Sequence, residues 1–418
     1  MTSAPQASAP LTTSDGRPLK AALAAAGARA RRRAFLLVAP LLAFVLITFV
    51  IPIGQMLHQS VYHSGFSQNA PAIAAWFDAN PSGTVPDEAA YAALAEDFRQ
   101  MQANKTAGEA GTRINYTLPE TRSLVTKTAR AAAGMEPPFK EAFLAVDAKW
   151  GDPAVWQAMR SSAKAYTSDF FLAAMDLERG PDGAIKQVDQ NKRVYMTLFV
   201  KTFALALAIT VICLILAFPI AHLLATLPMA KANLLMILVL LPFWTSLLVR
   251  TTSWIVLLQE QGVVNSLLVY TGAIGDDGRL RMIYNQTGTI IVMTHILLPF
   301  MVLPLYSVMR VIPPSYARAA RSLGATSWTT FRRIYLPQTL PGIGAGSLLV
   351  FILAVGYYIT PALVGGADGQ LISNMIAFHM GKSNWSMAAA LAAMLLAGVL
   401  LLYWLYDRMV GIDKLKLG

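Results

Sequence analysis

The sequence predicts an all-α membrane protein: six transmembrane helices, with a mostly helical extracytoplasmic insertion after the first. Three observations predict it. The 418-residue chain is 55% hydrophobic and only 14% charged, with a mean hydropathy of +0.49, whereas a soluble domain carries about a quarter charged residues. Its apolar residues gather into runs of about 20 or more, long enough to cross a hydrocarbon core. Its cations lie in short segments beside those runs. The net charge of +11 therefore orients the spans against an anionic inner leaflet and is not a nucleic-acid footprint.

Taken in order, residues 1–33 are rich in Ala, Ser, Thr and Pro and end in Arg29, Arg31, Arg32 and Arg33. They read as a disordered cytoplasmic tail. No apolar run precedes residue 34, so a cleavable signal peptide is not expected. The first transmembrane helix is placed at 34–56, with the arginines holding the N-terminus inside and Pro40 and Pro52 near its ends.

Residues 62–194 differ in kind, because most of the chain's acids fall here, mixed with Lys and Arg. Segments 87–101 and 152–166 carry amphipathic patterns. Asp87 and Asp152 stand at N-cap positions, and Pro153 takes the first helical position. This stretch is expected to be a helical periplasmic insertion that folds separately from the spans. Five further spans follow at roughly 196–226, 233–258, 287–311, 338–363 and 385–407, giving a core over 195–408 and a cytoplasmic tail at 409–418. Lys231, Arg408, Lys414 and Lys416 fall on the inner side, and Glu260, Asp276, Asp277 and Asp368 on the outer. Both termini come out cytoplasmic.

Between two of these spans lies a polar, basic island, Pro313 to Ile343, which holds Arg318, Arg321, Arg332 and Arg333 and no acid; Arg310 stands just before it. Tyr316 to Leu323 lacks Gly and Pro and can make two helical turns. Gly324 can then adopt the left-handed conformation that reverses the chain. Ser327 or Thr326 can cap a second short helix before Leu336-Pro337 opens the next span.

Ala319-Ala320, Gly324 four residues on, and Leu336-Pro337 resemble the cytoplasmic coupling loop of ABC importer permeases. Segments 240–258, 297–309 and 341–366 resemble the polyamine (spermidine/putrescine)-type permeases, so the likeness covers most of 195–408. The resemblance implies the type I ABC importer permease fold in a bacterial inner membrane, with 313–335 as the coupling loop. Tyr316, Arg318, Ala319, Ala320, Leu323, Gly324, Ala325, Phe331, Leu336 and Pro337 would then form the ATPase-coupling element. The partners it implies are two copies of an ABC ATPase subunit, a second homologous permease, a periplasmic substrate-binding protein and the lipid bilayer. The substrate it implies is a small amine-bearing solute such as a polyamine. The family usually has Glu where this chain has Arg318, and often an acid near Tyr357 where this chain has none.

The residues themselves support transport without catalysis. The interiors of the spans hold no Asp or Glu, which argues against an ion-coupled secondary transporter, since intramembrane acids mark such relays. The coupling loop argues against a membrane-anchored sensor or scaffold built on 62–194. Gly381-Lys382-Ser383 is not a phosphate loop, because the first glycine of that motif would fall at Ile376 and no strand precedes it. The ATPase activity is therefore expected on a separate subunit, and no cofactor or metal is expected here. His222 and His295 show no metal-ligand spacing with His58, His63 or His379, and Cys213 reads as a small packed residue. Trp244, Thr245 and Ser246 interrupt the third span; Gly356, Tyr357, Tyr358 and Thr360 interrupt the fifth. The resemblance implies that these line the translocation path, where aromatic faces can pass an organic cation. The competing reading is ordinary helix packing. Arg250 is expected to snorkel to the outer surface.

Overall fold

The computed structural model describes residues 18–80, 84–180 and 184–410. They fall into two compact units, Met1–His58 and Gln59–Gly418. In the first, a helix runs over Leu19–Val45, passes through a π turn at Leu46–Val50 and continues as Ile51–Gln59. The π turn lies just before Pro52, whose ring cannot share the regular helical bonding of the preceding turn. The stretch Ala26–Gln59 is long and apolar enough to cross a membrane, in line with the span expected at 34–56. The tail expected to be disordered is corrected over 18–33, which are helical from Leu19. The Ala-rich, Arg-rich composition there favours helix, since Ala and Arg head the propensity order. Residues 1–17 and 411–418 of the two expected tails lie outside the described residues.

In the second unit, 62–194 is helical, as its patterning predicts. Asp87 accepts from the Ala90 amide at 2.9 Å to start the helix Glu88–Ala103, and Asp152 accepts from Ala154 at 2.8 Å to start Pro153–Ala163. A short antiparallel pair, Leu177–Arg179 with Ile185–Gln187, closes the segment. Its core is aromatic: Trp150, Tyr91, Phe98 and Phe143 are all but fully buried. Their polar tips are satisfied locally. Tyr91 and the Trp156 indole both donate to the Trp150 carbonyl at 2.9 and 2.8 Å, and the Trp150 indole donates to Thr128 at 2.9 Å. Asp97, fully buried, accepts from the amides of Ala72 and Ile73 at 3.0 and 2.7 Å and so serves the start of Pro71–Ala79 from a distant helix. Burial pushes its carboxyl up to about 6, against the pull of those two amides.

The membrane core centres on three mutually packed helices, Tyr195–Thr226, Gln286–Arg310 and Leu336–Gly356, around Leu205, Ile209, Met301, Leu305 and Val350. The last of these helices lies directly on the second: a Cβ added at Gly342 would stand 3.1 Å from the Pro304 carbonyl oxygen. Small residues permit that approach where lipid gives helices no other reason to associate. Among the described residues five helices are long and apolar enough to span, or six if a bent pair that meets the same test together counts as one span. The span expected at 233–258 is broken at its expected interruption, 244–246: Met229–Trp244 and Leu247–Tyr270 meet at 97°. Pro242 begins a tight turn over Leu241–Trp244, Thr245 is extended, and Ser246 starts a new helix by accepting from the Val249 amide. The expected span at 338–363 is likewise two helices, Leu336–Gly356 and Ile359–Val364.

The insertion is not separate from the core, contrary to expectation. Phe170 and Ala174 share an apolar cluster with Phe199, Ile372, Met387 and Leu391 from three core helices. Tyr116 donates to the Ser383 carbonyl at 3.0 Å. Asp176 makes the tightest joint, its carboxylate accepting from the amides of Val194, Tyr195 and Met196 at 3.1, 3.1 and 2.8 Å. Those amides are the unbonded donors at the start of Tyr195–Thr226. Sequence patterning finds caps only next to their helices, and Asp176 lies 18 to 20 residues from the amides it serves.

Two outcomes follow. Asp176→Ala is expected to lower stability by about 1–2 kcal/mol, as for loss of a helix cap at the positive helix end, with Asp176→Asn closer to wild type. Hydrogen exchange at the Val194–Met196 amides measures it; unchanged protection in the alanine variant would show the cap to be dispensable. Asp97 has a folded pKa raised from 3.8 to about 6, so the folded insertion binds its proton more tightly than the unfolded chain. Its contribution to stability is therefore fully present below about pH 4 and lost as pH rises to about 6. Exchange at the Ala72 and Ile73 amides, corrected for intrinsic rate, should show this slope in wild type and not in Asp97→Asn. The same slope in both would assign it to other groups.

Candidate functional site

The basic island forms a helical hairpin at the end of the core opposite the insertion. Pro313 precedes the helix Pro314–Ser322, and the chain then reverses at Gly324, whose φ is +86°. The amides of Leu323, Gly324 and Ala325 bond back to Ala319, Arg321 and Ala320 at 3.1, 3.0 and 3.0 Å, which ends the helix as the glycine permits. Of the two candidate caps it is Thr326 that accepts from the Thr329 amide, at 3.2 Å, to start Ser327–Thr330. The chain then passes through a π turn, Phe331–Tyr335, into Leu336–Gly356.

The hairpin presents an apolar tip and is anchored by aromatic rings. Leu323 is 90% exposed, Trp328 66% and Tyr316 52%; Arg318, Ala319, Gly324 and Pro337 are exposed, and Ala320, Ala325 and Leu336 half-buried. Behind the tip, Trp328, Phe331 and Tyr335 stack in series at 5.7 and 6.2 Å. Phe331 meets Phe218 edge-on at 5.9 Å, and the Tyr335 hydroxyl lies 2.9 Å from Nδ1 of His222. Arg310 donates to the Ala225 carbonyl at 3.0 Å. The hairpin is thereby tied to the end of Tyr195–Thr226 on one side and runs continuously into Leu336–Gly356 on the other. Of the expected coupling residues, Tyr316 to Ala325 lie on the outer helix and turn, while Phe331 belongs to the anchor. Phe218, His222, Trp328 and Tyr335 were not foreseen in this role; the spacing 328, 331, 335 on one helical face is the signal that points to them.

The two interruptions also come together. Trp244 is 78% exposed, Thr245, Ser246 and Gly356 are exposed, Tyr357 is half-buried and Tyr358 46% exposed. Thr360 is fully buried, its hydroxyl without a hydrogen-bond partner. The carbonyls freed after Gly356 are taken up by side chains from the next helix: Ser373 donates to Tyr357 at 2.6 Å and Asn374 to Tyr358 at 2.8 Å. Leu247, Trp254 and Tyr357 pack around one cluster with Leu258, Val292, Ile296 and Val364. Arg250 links the breaks. It donates to the Thr245 carbonyl at 3.3 Å and acts electrostatically on Tyr357 and His295. It is half-buried, with two guanidinium nitrogens fully buried, so the expected snorkelling is corrected. His295 accepts from the Trp254 indole at 3.0 Å. No group of three or more His, Cys, Asp or Glu side chains able to hold a metal occurs among the described residues.

The chain is similar to known transport proteins over this same core. The family described as binding-protein-dependent transport system inner membrane component matches residues 193–410. The spermidine/putrescine transport system permease protein PotB of Escherichia coli (strain K12) is 37% identical over 222 residues, 52% of this chain and 80% of that one. The inner membrane ABC transporter permease protein YdcU of the same organism is 35% identical over 207 residues, 46% of this chain and 65% of that one. Among solved structures, a chain of a bacterial ABC transporter involved in the import of the acidic polysaccharide alginate aligns over 70% of this chain and 98% of its own, at 20% identity and a TM-score of 0.46. The family match takes in the hairpin, both breaks and every helix of the core, and leaves the insertion outside it. The chain therefore belongs to the family of binding-protein-dependent transport system inner membrane components, the permeases of ABC importers.

Proposed function

We propose that this chain is a membrane-spanning subunit of an ATP-driven importer, moving a small amine-bearing solute of polyamine type across a bacterial inner membrane. The observation that carries the reading is the hairpin: an exposed apolar tip on a rigid, aromatic-braced base. Leu323, Tyr316 and Trp328 are an exposed apolar patch of the sort that marks a protein interface. Its occupant in this reading is the ATPase subunit, present in two copies. A second, similar permease completes the path, and an extracytoplasmic binding protein delivers the solute. Both termini are cytoplasmic and the insertion lies outside.

Motion enters through the hairpin. Closure of the ATPase pair shifts Pro314–Ser322 as a rigid body. The Phe331–Phe218 contact, the Tyr335–His222 bond and the Arg310–Ala225 bond pass the shift into the Tyr195–Thr226 helix. Leu336–Gly356 receives it directly through the backbone. The break at 357–358 sits where Leu336–Gly356 ends and packs beside the bent pair broken at 244–246, so displacement there opens or closes the lining formed by Trp244, Thr245, Ser246, Tyr357 and Tyr358. The likeness to spermidine/putrescine transport system permease proteins PotB supports an amine as cargo. The acid-free spans support energy delivered from the ATPase rather than an ion gradient.

Purified alone, the chain is expected not to hydrolyse ATP. Hydrolysis stimulated by loaded binding protein, together with uptake, is expected only with all partners reconstituted. Uptake driven by a proton or sodium gradient without ATP would overturn the reading.

Gly324→Asp is the sharper test. A side chain at φ +86° is strained by roughly 1–2 kcal/mol, although nothing lies within 4 Å of an added Cβ. The open space means that the variant should insert normally, yet its altered, charged tip should uncouple hydrolysis from uptake. Arg318→Glu, at an exposed position, should be much milder. ATPase co-purification and uptake are measured for both, and normal uptake by Gly324→Asp would remove the hairpin from the coupling role.

A further inference from the structure

The insertion holds a cavity that shares no residue with the hairpin or with either break. Its volume is about 390 Å³, and it opens between the helices Pro71–Ala79, Glu88–Ala103 and Pro153–Ala163. That size suits a small molecule. Trp76, Phe77, Tyr91, Trp150 and Trp156 line it. The Tyr91 hydroxyl and the indoles of Trp150 and Trp156 are already bonded within the insertion, so these walls offer ring carbon rather than hydrogen bonds. A second cavity of about 290 Å³ adjoins the first and shares Phe77 and Arg160 with it. Both lie in 62–194, outside the family-matched 193–410.

The charge at this cavity is positive. Arg160 and Lys140 line it, and no Asp or Glu does. Arg160 is half-buried, and among the described residues it bonds through Nη1 alone, to the Phe77 and Asn80 carbonyls at 2.7 and 2.6 Å. Asp78 acts on it electrostatically, from the second cavity. Glu88, within electrostatic reach of Tyr91, is engaged by the amides of Phe139 and Lys140. Aromatic walls ordinarily suit an ammonium ion. Here the Arg160 guanidinium already lies over Phe77 at 4.7 Å and Trp76 at 6.0 Å, so a second cation would meet like charge. Nε and Nη2 of Arg160 remain for an anion, and together they match the edge of a carboxylate.

We propose that this cavity binds a small organic acid carrying an aromatic ring, with the ring among Trp76, Phe77 and Trp156 and the carboxylate on Arg160. Lys140 adds positive charge at the rim. Such a ligand is opposite in sign to an amine cargo and sits in the insertion rather than between the spans. It is a second ligand of this subunit, distinct from what the core moves.

The test uses the full-length chain in lipid nanodiscs and calorimetric titration with two matched pairs, 4-hydroxyphenylacetate against tyramine and indole-3-acetate against tryptamine. Each pair keeps its ring and exchanges a carboxylate for an ammonium. At least one acid is expected to bind with a Kd below about 1 mM, and about 10-fold or more tighter than its matched amine. Acetate, which lacks the ring, should not compete at equal concentration. Arg160→Gln should abolish the preference for the acid. Lys140→Glu, at an exposed position, should weaken the acid several-fold, and it decides the matter if Arg160→Gln loses its folded near-ultraviolet dichroism. Binding by neither acid, an amine as tight as its acid, or equal competition by acetate would overturn the proposal. So would unchanged acid binding in Lys140→Glu or in a folded Arg160→Gln. None of these outcomes bears on ATP-dependent uptake by the complete complex, by which the importer reading stands or falls.

Discussion

A backbone inside hydrocarbon must satisfy its own N–H and C=O groups, and this constraint decides where the core can be irregular. Two spans break. At each break the freed groups are met by a short polar side chain: Ser246 at the first, Ser373 and Asn374 at the second. Irregular backbone at membrane depth is tolerated where it is enclosed by protein or lines a cavity. Both breaks converge around Tyr357, Trp254 and Arg250. The same logic explains why the three central helices are regular and closely packed. Their threonines, such as Thr202 and Thr210, bond back to carbonyls one turn earlier in the chain, and small residues such as Gly342 let the helices approach.

The hairpin and the insertion load opposite ends of this core. At one end the aromatic series from Trp328 to Tyr335 converts an exposed loop into an extension of two helices. At the other end the insertion covers the starts of helices Tyr195–Thr226, Ile372–Gly381 and Trp385–Val410 through Phe170 and Ala174. The Tyr195–Thr226 helix is held at both ends, by Asp176 and by the hairpin, and is the element through which each end can sense the other.

Much of this was legible in the sequence because it is local. Spans announce themselves by length and apolarity, the reversal at Gly324 by the one residue free to make it, and the caps at Asp87 and Asp152 by adjacency to their helices. What was not legible depends on long-range placement. Asp176 and Asp97 serve helices distant in the chain, and no spacing rule reaches so far. Arg250 was expected to snorkel because it was placed at the outer end of its span, whereas two of its guanidinium nitrogens are buried where the two breaks converge. The insertion was expected to stand apart because its charges suit water; its attachment rests on the Asp176 carboxylate and on a few apolar residues such as Phe170 that look in sequence like any other core positions.

The Asp176 joint has a consequence for how such a protein can arise. Asp176 sits at φ +57°, a left-handed conformation that Asp tolerates better than most residues, and its three bonds go to backbone amides. Every helix has such amides at its start, whatever its side chains. A segment that ends in this carboxylate thus brings its own fastening and asks nothing of the sequence it meets. The family-matched region begins at residue 193, just where the fastening lands. An ancestral permease could accept the inserted segment at that boundary without first changing its own helix, and the apolar contacts at Phe170 could be refined afterwards.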